Sequence, residues 1–290
     1  MNQTAHKTGL VSLILFGASL VSQGVNSAPD DLSTAETVAD RRLAEIIEAE
    51  GDLVRASEAG TGEESLLLKA QEIATRYEEF LENNPDHLYG WILCGKFLYS
   101  IGGDDRSFLA FQKAESLSPD LPVVQRYLGL ILADSQEYEL ALAYHLRAVE
   151  LDPKEPTYHD DLGRFLQRYG SSLEADGVLE EGRASVLAGE SFALAFDLEP
   201  ESFERGWRWA EAFTDMPDPD WGAVAGAWER VNGLSQTKIE REATRLQVAR
   251  ALIELGDFKE AQKWMNPVST EVLQPSLEQL MKRLEKSAKN

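Results

Sequence analysis

PDLPVVQRYLGLILADSQEYELALAYHLRAVELDP, residues 119–153, holds two helical patterns between two prolines. Leu128, Gly129 and Leu132 mark a first helix. Tyr138, Ala141 and Ala148 mark a second, which stops before Pro153 because proline cannot continue a helix. The same arrangement stands on both sides of this stretch. Pro85, Pro119 and Pro153 recur at intervals of 34 residues, and each is followed ten residues later by a glycine: Gly95, Gly129 and Gly163. A glycine in a helix interior costs about 0.5–1 kcal/mol relative to alanine, so three in phase indicate a repeated place where two helices touch closely.

Working outward, Trp91, Cys94, Leu98 and Ile101 form one helical stripe after Pro85, and Phe108, Phe111 and Ala114 form the next. Ala114 and Ala148 both lie five residues before their prolines. The unit after Pro153 opens alike, with Leu162, Gly163 and Leu166, but closes at Pro200, 47 residues on. Thirteen residues have been inserted near 170–182. Thirteen is not a whole number of 3.6-residue turns, so the expectation is a projecting loop or an irregular helical excursion, with the second helix (Ala188, Phe192, Ala195) intact. Residues 203–213 and 221–231 read as a divergent pair around the breaker Met216, Pro217, Asp218, Pro219. Leu246, Ala249, Leu252, Leu255, Gly256, Asp257, Phe258, Ala261 and Trp264 make a last clear unit, followed by an amphipathic segment with Leu277, Leu280 and Leu284.

A 34-residue self-similarity with these glycines, alanines and prolines resembles the tetratricopeptide repeat, in which antiparallel helix pairs stack into a solenoid. The resemblance covers roughly residues 54–275 and is strongest over 86–200. It implies an all-α, right-handed superhelix: acidic N-terminal helices and a degenerate first repeat in 28–85, three repeats in 86–200, a divergent repeat in 201–240, and a last repeat with a capping helix in 241–290. It also implies a concave face lined mainly by first helices. That face would carry Tyr89, Ile92, Lys96 and Tyr99, then Val123, Arg126 and Leu130, then Asp160, Arg164 and Arg168. Tyr89, Lys96, Tyr99, Arg126, Arg164 and Arg168 are therefore the candidate partner-binding residues, suited to an acidic peptide or a C-terminal carboxylate. Local pairing of Arg164 and Arg168 with Asp160 and Asp161 is the competing reading. The family's carboxylate clamp is not met, because Ile92 and Tyr127 stand where it needs polar groups.

The first 27 residues read as a secretory signal: Lys7, an apolar run over 10–21, and Val25, Asn26, Ser27 before a cut that leaves Ala28 first. A membrane span takes about 20 apolar residues, and Ser12, Gly17 and Ser19 interrupt this run. Beyond it stand 27 Lys and Arg against 50 Asp and Glu, a net charge of −23. Such acidity argues against nucleic acid, whose phosphates need a basic face. Cys94 has no disulfide partner in the chain and sits in an apolar phase, as a buried small hydrophobe would. With no disulfide and no Asn-x-Ser/Thr acceptor after residue 27, a bacterial periplasm fits better than a eukaryotic secretory route.

Catalytic chemistry finds little support. His87, His145 and His159 are dispersed, and the pair Asp160, Asp161 reads as a complement to a helix dipole at a helix start. No phosphate loop, nucleophile elbow or cofactor motif occurs. Residues 28–86 carry a net charge of −11 and residues 241–290 a net of +2, which permits head-to-tail self-association or two distinct partners. Two functional readings follow. The first is an exported, non-enzymatic scaffold that binds a protein or peptide on its concave face, in cell-envelope assembly. The second is a small-molecule or catalytic protein built on the insertion and on Trp207, Trp209, Trp221 and Trp228.

Overall fold

The computed structural model describes residues 37–287; the signal reading of residues 1–27 lies outside the described residues. Every regular element among them is helical. They form two compact units that divide between Ser135 and Gln136. The first contains α1 (Val38–Glu58), α2 (Glu63–Asn83), α3 (Leu88–Ser100), α4 (Asp104–Leu117) and α5 (Pro122–Asp134). The second contains α6 (Tyr138–Leu151), α7 (Pro156–Ala175), α8 (Arg183–Leu198), α9 (Phe203–Thr214), α10 (Trp221–Gly233), α11 (Lys238–Glu254), α12 (Phe258–Met265) and α13 (Gln274–Ser287).

Within each unit, successive helices pack as the 34-residue period requires. Gly95 and Gly163 are buried, and a methyl group on either would stand 2.8 Å from the Phe111 ring or 2.7 Å from the Phe192 ring. Both phenylalanines are fully buried, so these glycines mark the close approach of a first helix to its own second helix. A second repeated contact was not legible. Trp91 Nε1 donates to the Pro85 carbonyl at 2.8 Å, Gln125 Nε2 to the Pro119 carbonyl at 3.0 Å, and His159 Nε2 to the Pro153 carbonyl at 2.9 Å. A carbonyl can only accept, so His159 carries its proton on Nε2. Three unlike side chains at one repeat position thus tie the proline corner to the next helix.

The inserted residues do not form a projecting loop. Seven lengthen α7, which has 20 residues against 13 in α3 and α5; four widen the turn, residues 176–182 against 101–103; two lengthen α8, 16 residues against 14 in α4 and α6. Seven residues are very nearly two turns of 3.6, so the buried stripe of α7 continues in phase through Leu166, Gly170 and Leu173. The wider turn is fastened by Glu174, whose Oε1 accepts from the Ala184 amide at 2.9 Å, and by Gly182 in the left-handed region at φ 78°. Gly170 lets the lengthened helices touch.

Gly226 differs from these packed glycines: it is exposed in mid-α10 with nothing within 4 Å of an added methyl. Gly226→Ala is expected to stabilise the protein by about 0.5–1 kcal/mol, read as a raised urea midpoint. A fall in the midpoint would show that this face of α10 is not open.

Candidate partner-binding faces

In the first unit, α1, α3 and α5 are joined through their side chains. Glu50 of α1 accepts a hydrogen bond from the Tyr77 hydroxyl of α2 at 2.5 Å, and Lys96 of α3 adds its charge nearby. Burial pushes the Glu50 carboxyl up to about 7, against the opposing effects of Tyr77 and Lys96. Burial in turn holds Lys96 below the usual range for an amine, and the neighbouring Arg126 guanidinium of α5 lowers it further, with Glu50 opposing. Tyr99 lies edge-on to Tyr127 at 5.6 Å, with its hydroxyl 3.5 Å from Asp134, and Tyr127 stacks on Phe111 at 4.7 Å. The Arg126 guanidinium sits 5.1 Å from the Tyr127 ring centre. Lys96, Tyr99 and Arg126 are therefore one cluster of half-buried side chains, while Tyr89 stands at the first turn of α3, 63% exposed. Ile92 and Tyr127 are buried, which leaves no room for a polar clamp.

In the second unit the candidate arginines, Arg164 and Arg168, are exposed on α7, with Arg168 5.2 Å from the ring centre of Tyr169. Asp160 makes its ion pairs with α9 instead. It is buried, and it accepts from Arg208 Nη1 of α9 at 3.1 Å, with Arg205 Nη1 at 3.9 Å. Burial raises its pKa, although Arg208, Arg205 and the more distant Arg164 all act to lower it. The helix-dipole reading of Asp160 and Asp161 is corrected as well, because both lie beyond the first turn of α7. Sequence gave no sign of the α7–α9 pair, whose members stand 48 residues apart.

The tryptophans pack in or against the core of the second unit, and Trp207 also lines a cleft. Trp228 is 1% exposed, donates to Thr214 Oγ1 at 2.9 Å, and meets Trp207 edge-on at 4.8 Å. Trp209 packs between Phe196 and Phe213. Cys94 is buried and its thiol is pushed up to about 12 by that burial, as an inert core side chain would be. Among the described residues, no group of three or more His, Cys, Asp or Glu is placed to hold a metal ion, and no helix is long and apolar enough to cross a membrane.

Helix pairs repeated at 34 residues, with a buried glycine in the first helix against an aromatic ring in the second, give the tetratricopeptide-repeat fold. Solved structures agree. YrrB, a TPR protein with an unusual peptide-binding site, is 11% identical over 74% of this chain and 98% of its own, with a TM-score of 0.54. PilW, a widely conserved type IV pilus biogenesis factor, is 14% identical over 84% and 100%, with a TM-score of 0.55. PilF of Pseudomonas aeruginosa is 14% identical over 88% and 100%, with a TM-score of 0.57. No protein-family model matches the chain, and no curated protein matches it in sequence.

Proposed function

We propose that this protein is an exported, non-enzymatic scaffold whose α1/α3/α5 face holds an anionic segment of another protein. The observation that carries the reading is the pairing of Lys96 with Arg126. Both are half-buried cations on α3 and α5, and burial first and the Arg126 charge second hold the lysine below its ordinary range, in a chain whose formal net charge is −22. A carboxylate placed between them would gain charge-assisted bonds to both, with half-buried Tyr99 beside it for apolar contact. The peptide-binding site of YrrB supports the step from fold to peptide, and the pilus-biogenesis role of PilW supports an envelope setting. In the same reading, exposed Tyr89, Arg164 and Arg168 extend the recognition surface in their own units.

A fluorescein-labelled octaglutamate peptide with a free C-terminal carboxylate serves as probe, followed by anisotropy at low and moderate salt. Binding is expected to weaken as salt rises, and at least about tenfold in Lys96→Glu/Arg126→Glu, since each charge-assisted bond contributes about 1.5–3 kcal/mol. Unchanged affinity in a folded double variant rejects the proposal. Arg164→Glu, measured alongside, tests the second unit's face.

A further inference from the structure

The C-terminal helix does not continue the stack. A solenoid extended by one more first helix would lean on the preceding second helix, as α11 leans on α10 and α9 on α8. α13 instead packs most extensively on α11, the first helix of the last pair. It lies against the first helices α9 and α11. Leu273, Leu280 and Arg283 meet Trp207 of α9 and Leu246 and Arg250 of α11 around a cleft of about 430 Å³. On its other side, Leu277 and Leu284 stand over a second cleft of about 290 Å³ shared with α12.

The fit is loose where a structural cap would be tight. α11 contributes six buried apolar residues to the core, whereas Leu277, Leu280 and Leu284 of α13 pack against that core only partly buried. Met281 is 48% exposed. The polar attachments lie at two points. At the N-terminal end, buried Glu242 accepts from the Ser269 amide at 2.9 Å and the Thr270 amide at 2.7 Å, just ahead of the helix. Along the helix itself, Arg283 forms an ion pair with Glu254. Leucines at 277, 280 and 284 with a base at 283 thus make α13 an amphipathic ligand held by three partly buried leucines, a tether and one charge pair.

We infer that α13 is a displaceable occupant of the α9/α11 face, and that this face is a docking site for a partner helix with the same leucine spacing and a matching cation for Glu254. A helix whose leucines stay partly exposed forgoes much of the packing energy that holds the other helices. Its tether is anchored by Glu242, so α13 can leave while Ser269 and Thr270 stay in place.

The test uses the full chain and a fluorescein-labelled peptide of residues 270–287. Leu280→Ala/Arg283→Glu weakens the resident helix without touching the face beneath. The peptide is expected to bind this variant about tenfold tighter than the unaltered protein, because a closed site lowers apparent affinity by its open fraction. Amide hydrogen exchange on the unaltered chain is expected to be faster in α13 than in α11 and α12. Equal peptide affinity in the two proteins, no binding to either, or α13 amides as protected as those of α11 would each overturn the inference.

Discussion

Glu50→Gln is expected to be more stable than the unaltered protein at pH 8, by about 2–3 kcal/mol, and to lose that advantage at pH 5. Glu50 titrates at about 7 in the folded chain, against an ordinary value of 4.5. The folded state therefore binds the proton more tightly than the unfolded state, and stability falls as pH rises between the two values. Below about 4.5 the carboxyl is protonated in both states and its contribution is fully present; above about 7 it must be carried ionised into a buried site, and the contribution is lost. A separation of about 2.5 pKa units corresponds to about 3 kcal/mol. Glutamine keeps an acceptor for the Tyr77 hydroxyl and carries no charge, so its stability is flat across this window apart from background titration shared by both proteins. Urea unfolding of both proteins at pH 5 and pH 8 reads the difference directly. A constant offset at the two pH values would show that Glu50 ionises normally.

The same carboxyl links stability to the proposed binding face. As Glu50 loses its charge on acidification, Lys96 loses an internal counter-ion and keeps its like-charged neighbour Arg126. An anionic ligand then meets a more positive face. The cluster is tuned by burial more than by any single pair, which is why residues on three different helices have to be present together for it to exist.

How far the sequence could be read follows from which contacts are periodic. The proline and glycine spacing placed the corners and the close approaches of Gly95 and Gly163, because each repeats a contact between elements adjacent in the chain. Glu50 was passed over as part of an acidic helix. Its signal was available: with Leu43, Ile46, Leu53 and Ser57 it falls on one stripe spaced three and four apart, and those four neighbours are all buried. An acid in that phase has to be neutralised or paired. Asp160 offered no comparable signal, since its partner Arg208 comes from another repeat and nothing in the local pattern of α7 selects it. The tryptophans misled by number: Trp228 fills the interior of a pair whose small residues, Ala210, Ala225 and Ala227, leave volume to occupy, while half-buried Trp207 lies at the edge of a cleft. The insertion misled by arithmetic. Thirteen residues taken whole break helical phase, but divided between two helices and a turn they preserve it.

That division makes Gly170 the most sensitive position in the lengthened pair. Gly170→Ala is expected to destabilise the protein by about 2–3 kcal/mol, net of the roughly 1 kcal/mol that alanine gains over glycine in a helix. An added methyl there would lie 2.3 Å from Cβ of Ala184, an atom fixed to the α8 backbone. Relief requires α7 and α8 to move apart, which strains the Glu174 bond to the Ala184 amide and the turn that follows. At Gly163 the obstacle is the Phe192 ring at 2.7 Å, a side chain with some freedom to shift, so Gly163→Ala is expected to cost less. Unfolding midpoints for the two variants order the effects. The decisive comparison is with Ala184→Gly, which removes the obstructing carbon: the double variant Gly170→Ala/Ala184→Gly should recover more than 1 kcal/mol relative to the sum of the single changes, the coupling expected of residues in direct contact. Strict additivity would mean that the two helices do not meet at this point, and that the inserted residues are accommodated in some other way.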